Sequence, residues 1–297
     1  MKGKLICLVG VSASGKSSFA LDNFQENEIF SSDNIRKELF NDEANQSDNG
    51  KVFNILHQRI INQLKEGKTA VYDATNLSAR RRIGFLKNIK HIDCYKECIV
   101  FTTPYKKCIE NDKHRDRKVG EEVILKQMRQ FSMPIEDEGW DKITCLNPFG
   151  LYFTNIYKML KGNTPHDCEP YHYETIERHC INSALLASDN DENICITEAL
   201  LFHDIGKLLT KDFHNSKGEE TEIAHYYGHE GVSAYLYLTS ERMIDIPNSE
   251  LVVWLINNHM RPYQQGYNKW CQRYSDELNF MLEKVHKYDK LGRVTER

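Results

Sequence analysis

Residues Gly10 to Ser17 read GVSASGKS, the spacing G-x-x-x-x-G-K-S, directly after a short apolar run. In such a loop the glycines let the backbone wrap the phosphate oxygens of a nucleotide, and the following helix start adds a positive dipole end. The candidate nucleotide-binding positions are Gly10, Ser12, Ala13, Ser14, Gly15, Lys16, Ser17 and Ser18. Lys16 would neutralise the β- and γ-phosphates, and the Ser17 hydroxyl would ligate Mg²⁺. A second set is strung along the other half: His179, the pair His203 and Asp204 in ALLFHDIGKLLT, then His229, His259 and Asp289. Each lies beside apolar residues that would turn it inward, and buried imidazoles and carboxylates are costly unless paired or metal-bound. Cations ligated jointly explain several convergent ones best. Imidazole with carboxylate suits Mn, Ni, Co, Fe or Zn, with Mg possible where carboxylate and water dominate.

Other polar positions carry two readings each. Asp33, in SSDNIR, stands at the end of a predicted strand, where it could take the proton of a substrate hydroxyl; the plainer reading is a cap on the following helix. Asp73, in VYDATN, closes a hydrophobic strand, the place of a carboxylate that acts on Mg²⁺ or its water. The basic runs ARRR (79–82) and KHRDRK (113–118) are solvated helix faces or, for the second, a lid whose arginines close over a phosphate. Nine of the 12 histidines fall at or beyond His166. His225 and His229 are four apart and would share a helical face, so their roles are easily exchanged. His172, seven residues before His179, is expected to line the pocket, whereas His166, His214 and His286 read as structural or surface residues. Gly206-Lys207 is not a second phosphate loop, because Leu201 stands where that motif needs glycine.

These residues need elements to hold them. KLICLVG (4–10) has the composition of a buried strand. EIFSSDNIRKELF (28–40) reads as a strand-like start, an N-cap at Ser32 or Asp33, and a helix. Val52, Ile55, Leu56, Ile60 and Leu64 recur at a helical period, and GKTAVYDATN and KECIVFTTP each contain a strand. This alternation predicts a parallel sheet with helices on both faces. Pro148, Gly162, Pro165 and Pro170 then break the pattern. Helical periodicity over 173–188, 195–210, 228–241, 247–260 and 272–288 predicts an all-α second half.

At 297 residues the chain suits two domains. We expect one over 1–150, a linker over 151–165 and a second domain over 166–297. With 40% hydrophobic and 28% charged residues and a net charge of −4, it is an ordinary globular chain and no polycation, so a nucleic-acid surface would be a local patch. Nine cysteines without regular pairing argue against a disulfide framework and for reduced thiols in the cytoplasm. No apolar run reaches the ~18 residues of a membrane span.

GVSASGKSS, SSDNIRKELF, VYDATN with its following arginines, and NDKHRDRKVGEEVI together resemble the polynucleotide 5′-kinase branch of P-loop phosphotransferases, over about residues 1 to 145. The resemblance implies Asp33 as the base that activates a 5′-hydroxyl, Arg36 as the grip on the acceptor's phosphate, and Arg115 or Arg117 as the lid arginine. Two departures bear on the acceptor: Asn111 to Val119 is a residue longer than usual, and Ser32 replaces an arginine that some members carry. From 166 onward the ordered H…HD…D pattern is similar to the HD phosphohydrolase superfamily. That resemblance implies a first metal on His179, His203, Asp204 and Asp289, a second helped by His229 and His259, and Lys207 within reach of a phosphate. YYGHEG fits the superfamily better at His229 than at His225.

The expected architecture is therefore an α/β P-loop kinase domain followed by an all-α HD domain. The joint resemblance is to bifunctional end-healing enzymes. It implies ATP or another NTP with Mg as cofactors, RNA favoured over DNA ends as substrate, an RNA ligase acting downstream, and room for a homo-oligomer. Two alternatives stay open: a nucleoside or metabolite kinase fused to a nucleotide phosphohydrolase, and a nucleotide- or metal-sensing protein with an inactive HD centre.

Overall fold

The apolar run before the phosphate loop becomes β1 (Gly3–Val9), the centre of a five-stranded parallel sheet of order β2-β3-β1-β4-β5. Its neighbours are β2 (Ile29–Ser31), β3 (Thr69–Asp73), β4 (Cys94–Phe101) and β5 (Lys142–Leu146). Helices α1 (Lys16–Asn23), α2 (Ser32–Phe40), α3 (Asn49–Lys65), α4 (Ala79–Asn88) and α5 (Tyr105–Lys113) connect the strands. Ile6, Leu8, Val71, Ile99 and Phe101 bury one sheet face against Ala20 of α1. The loops after β1 and β3 and the start of α2 all lie at the carboxyl ends of strands, where such sheets bind ligands.

The computed structural model describes residues 2–150, 152–169 and 171–294. It divides into a first unit of Met1–Thr103, Lys107–Val119 and Pro134–Tyr152, and a second of Pro104–Lys106, Gly120–Met133 and Phe153–Arg297. The second unit holds α6 (Glu121–Arg129), α7 (Ile156–Leu160), α8 (Ile176–Ser188), α9 (Ile194–Phe202), α10 (Lys207–Thr210), α11 (His229–Leu238), α12 (Arg242–Asp245), α13 (Ser249–Asn258), α14 (Tyr267–Cys271) and α15 (Asp276–Leu291). Thus α6 packs with the second unit, and α7 lies inside the segment 151–165.

Local chemistry starts these helices. Thr175, Asn193 and Ser275 each accept a backbone N–H at the head of α8, α9 and α15. The helical unit also contains an antiparallel hairpin, β6 (Asp212–His214) with β7 (Glu220–His225), in a stretch without helical periodicity. The helix expected over 195–210 is broken: α9 ends at Phe202, and His203 to Gly206 turn before α10 begins. The apolar period runs on through FHDIGKLL, so hydrophobic spacing could not register the turn. Among the described residues no disulfide forms, and no helix is long and apolar enough to cross a membrane.

Candidate active sites

The phosphate loop is held open by its own backbone and by side chains from the next strands. Gly15 has φ +94°, a left-handed conformation that glycine adopts freely. A Cβ on Gly10 would come within 2.7 Å of Ser14 Oγ. Thr103 Oγ1 donates to Ser14 O at 2.8 Å, and Asn111 Nδ2 donates to Ala13 O at 3.0 Å. Lys16 is buried, with Nζ donating to Val11 O at 2.7 Å, so its ammonium lies across the loop that phosphates would fill. Ser17 Oγ donates to Asp73 Oδ2 at 2.9 Å, joining the hydroxyl and the carboxylate that would share Mg²⁺ and its waters. Burial pushes the Lys16 ammonium down and the Asp73 carboxyl up, each partly offset by the other's charge.

Asp33 does not cap α2; Ser31 does, accepting from Asp33 N at 3.2 Å. The Asp33 carboxylate is left for other partners. Arg36 Nη1 donates to Oδ1 at 2.7 Å, and Arg117 Nη1 to Oδ2 at 3.4 Å. Arg36 is itself buried, held by Ser32 Oγ at 3.3 Å and Asn49 Oδ1 at 3.0 Å. Arg115 pairs with Asp112 at 3.8 Å. In the ARRR run Arg82 is no solvated residue: it is buried in a two-pronged pair with Glu138 at 2.9 and 2.6 Å.

In the second unit, five helices or their ends bring His179, His203, Asp204, His229, His259 and Asp289 together, all buried. Asp204 stands between two imidazole pairs. Its Oδ2 lies 3.4 Å from His203 Nε2 and 3.6 Å from His179 Nε2, while its Oδ1 lies 3.2 Å from His229 Nε2 and 3.7 Å from His259 Nε2. Asp289 Oδ1 completes the first group, 3.1 Å from His179 Nε2 and 3.7 Å from His203 Nε2. Lys207 Nζ reaches Asp204 Oδ2 at 2.7 Å.

The outer nitrogens decide what this cluster can hold. Nδ1 of His203, His229 and His259 lies 2.7, 2.8 and 2.7 Å from the carbonyls of Leu200, Tyr226 and Ile256. A carbonyl only accepts, so each Nδ1 carries a proton, and whenever such a ring is neutral it turns an Nε2 lone pair inward. The Nε2 lone pairs of His229 and His259 then face each other at 3.2 Å, and His203 Nε2 faces His179 Nε2 at 3.1 Å. Facing lone pairs repel unless a positive charge lies among them. The donor set fits divalent cations, on the His179, His203, Asp289 side and on the Asp204, His259 side.

Residues 5–134 match the family model described as an AAA domain, and residues 176–291 match the one described as an HD domain. The chain carries an AAA domain followed by an HD domain. No curated protein matches it. The five-stranded parallel sheet with its helices is P-loop-like, and the helical region beyond it is the HD domain. The AAA domain implies a nucleotide with Mg, and the HD domain a divalent metal, with which the His and Asp cluster is compatible.

The HD centre attracts positive charge strongly. Burial alone would raise Asp204, yet Lys207 and His203 hold it well below the usual carboxylate range, and His179 and His203 do the same for Asp289. Burial opposes charge on His203, but Asp204 lifts it well above an ordinary imidazole. Burial and the nearby His203 and His229 push His259 down to about 3.

The structure places other histidines as follows. His225 is on β7, bonded to Thr221 Oγ1 at 3.1 Å, and shares no helical face with His229, the first residue of α11. His214 is exposed beside Asp212 at 2.8 Å. His166, expected to be structural or at the surface, is buried at the HD centre, its Nε2 3.9 Å from Asp204 Oδ2. His172 is buried beside it, ring centroids 4.2 Å apart. Three neighbours of the centre escaped sequence reasoning. Glu174 Oε1 lies 3.3 Å from His179 Nδ1, and Tyr263 Oη and Arg293 Nη2 each donate to Asp289 Oδ2 at 3.0 Å. Glu174 had a signal, an acid five residues before His179 and two after His172; Tyr263 and Arg293 had none.

Proposed function

We propose that the chain heals nucleic-acid ends, RNA in preference to DNA. The AAA domain would transfer the γ-phosphate of ATP or another NTP to a 5′-hydroxyl, and the HD domain would remove a 2′,3′-cyclic phosphate or 3′-phosphate. The observation that carries the reading is Asp33. Its side chain, in the first turn of α2 just past β2, is 44% exposed, and Arg36 and Arg117 hold its two oxygens. A carboxylate so placed accepts the proton of an incoming hydroxyl, and its openness admits the end of a polymer as readily as a small alcohol.

On the donor side Lys16 would meet the β- and γ-phosphates, Ser17 would ligate Mg²⁺ and Asp73 would act on Mg²⁺ or its water. Arg36 would hold the acceptor's phosphate, with Arg117 or Arg115 closing over the transferred group. In the HD domain His179, His203, Asp204 and Asp289 would hold one cation, and Asp204, His229 and His259 a second. Mn, Ni, Co, Fe, Zn or Mg are the candidates. Divalent cations held there would activate water near neutral pH and neutralise charge on phosphoryl oxygens. Lys207, one salt bridge from Asp204, would bind a phosphate oxygen. Healed ends would be substrates for an RNA ligase.

The test offers the full chain an oligoribonucleotide with a 5′-hydroxyl and a 2′,3′-cyclic phosphate, against a panel of free nucleosides and nucleotides. End healing predicts a new 5′-phosphate and loss of the 3′ phosphate on the oligonucleotide. Turnover confined to the small molecules would replace this reading with a nucleoside kinase and nucleotide phosphohydrolase.

A further inference from the structure

Two imidazole nitrogens of the HD centre lack a hydrogen-bond partner among the described residues: His179 Nδ1, which faces Glu174 Oε1 at 3.3 Å, and His166 Nε2. His166 is 1% exposed, and its Nε2 has no hydrogen-bond partner among the described residues. The ring is firmly held. Its Nδ1 lies 3.0 Å from Glu174 O, its face stacks on His172 at 4.2 Å and 19°, and its edge meets the His179 ring at 5.7 Å. The segment that carries it is pinned as well: Pro165 bridges Thr175, Cys168 bridges His172, Ala224 N donates to Asp167 O at 2.7 Å, and Tyr226 Oη donates to His166 O.

The tautomer follows from these partners. Glu174 O can only accept, so Nδ1 carries the proton and the neutral ring leaves its lone pair on Nε2. That lone pair is 3.9 Å from Asp204 Oδ2, the oxygen shared with His179 and His203. A direct hydrogen bond is ruled out at that distance. Two ligands of one ion, each about 2.1 Å from it, can be up to ~4.2 Å apart, so 3.9 Å suits a shared cation.

We propose that His166 is a further nitrogen ligand of the cation on the Oδ2 side of Asp204. Glu174 serves it as a positioning residue: its carbonyl fixes His166, while Oε1 takes His172 Nδ1 at 2.8 Å and faces His179 Nδ1 at 3.3 Å. One residue thereby orients two rings of the centre by hydrogen bonds and faces a third. The inference rests on the reading that His179, His203, Asp204 and Asp289 hold a cation.

The experiment titrates Co²⁺ alone into the metal-free full chain, followed by calorimetry and by the visible absorption of the bound ion. His166→Asn keeps a side-chain amide to donate to Glu174 O and removes the second nitrogen. It is expected to weaken the tighter Co²⁺ site by about tenfold or more and to change the visible band. Free imidazole should restore the band in His166→Gly, which a merely structural role for His166 does not predict. Asp289→Ala is the control for the underlying reading. If it loses Co²⁺ while His166→Asn binds with unchanged affinity and spectrum, the ligand role of His166 is overturned. If Asp289→Ala binds as the wild type does, the metal centre itself has been misread.

Discussion

His179 and His203 face one another through Nε2 at 3.1 Å, with the His203 Nδ1 committed to a carbonyl and the His179 Nδ1 facing a carboxylate. Without a cation or a proton between them this contact is repulsive, so ion binding should stabilise the fold. At a free ion concentration ~100 times Kd the gain is about 2.7 kcal/mol. We therefore expect chelation to lower the thermal midpoint of the full chain and Mn²⁺ to restore it. Melting curves that coincide with and without chelator would exclude ion binding at these imidazoles.

The two proposed chemistries would use separate residue sets. Lys16→Ala or Asp33→Ala should reduce 5′ phosphorylation by about 10²-fold or more while leaving 3′ removal unchanged. Asp204→Ala should do the reverse. Paired assays on one doubly end-labelled oligonucleotide report both activities. Loss of both activities in a folded single variant would refute the two-site scheme.

What the sequence could show divides along physical lines. The phosphate loop and the strand–helix alternation were legible because their requirements are local: glycine at 10 and 15, lysine at 16, an apolar run before them. The order of His179, His203, Asp204, His229, His259 and Asp289 was legible as a set of polar residues in apolar surroundings, and the structure brings them together. The burial of His166 beside the centre was not legible because it lies between Pro165 and Pro170, a segment without a period to say which side faces inward, and Glu174 was missed because it stands just before α8 begins. The burial of Arg82 depends on Glu138, 56 residues away, and no local pattern can announce that pairing.

That buried pair sets a stability prediction. Arg82 and Glu138 are each 1% exposed at the side chain, Trp140 Nε1 adds a bond to Glu138 at 3.0 Å, and Arg82 Nη1 donates to the carbonyls of Asn76 and Leu77. Removing one partner leaves an uncompensated buried charge, so Arg82→Ala or Glu138→Ala should cost about 3–5 kcal/mol. The double variant should lose less than the sum of the two. Urea unfolding of the four proteins gives the cycle; strictly additive losses would mean the pair has no coupling.

His57 makes stability depend on pH. It packs 4.5 Å from the Phe85 ring, bonds Tyr72 Oη at 2.9 Å, and burial pushes it down to about 4. The folded chain binds this proton less readily than the unfolded chain, whose histidine titrates near ~6.5. The stabilisation is therefore complete above about pH 6.5 and is lost as pH falls from there towards about 4. With residual solvent screening the loss is on the order of 2 kcal/mol. Urea midpoints of wild type and His57→Gln, compared near about pH 5 and about pH 7.5, should converge at the lower value. A constant gap between them would contradict the assignment.

Gly206 links backbone packing to the His and Asp cluster. Its φ of −65° is ordinary, so glycine is required there by space and not by conformation. A Cβ would lie 2.3 Å from His229 O and 2.6 Å from Ser233 N, backbone atoms of α11, and Gly206 N already donates to Ser233 Oγ at 2.8 Å. Gly206→Ala must push α11 away, and with it His229, whose Nε2 stands 3.2 Å from Asp204 Oδ1. Overpacking of this kind costs about 1–3 kcal/mol. A displacement approaching ~1 Å at a reacting centre lowers turnover about 10²-fold. We expect Gly206→Ala to lose phosphohydrolase activity on that scale and to bind Co²⁺ more weakly, with 5′ phosphorylation intact. Full phosphohydrolase activity in the variant would show that α11 can yield without moving His229, and that its place is set from elsewhere.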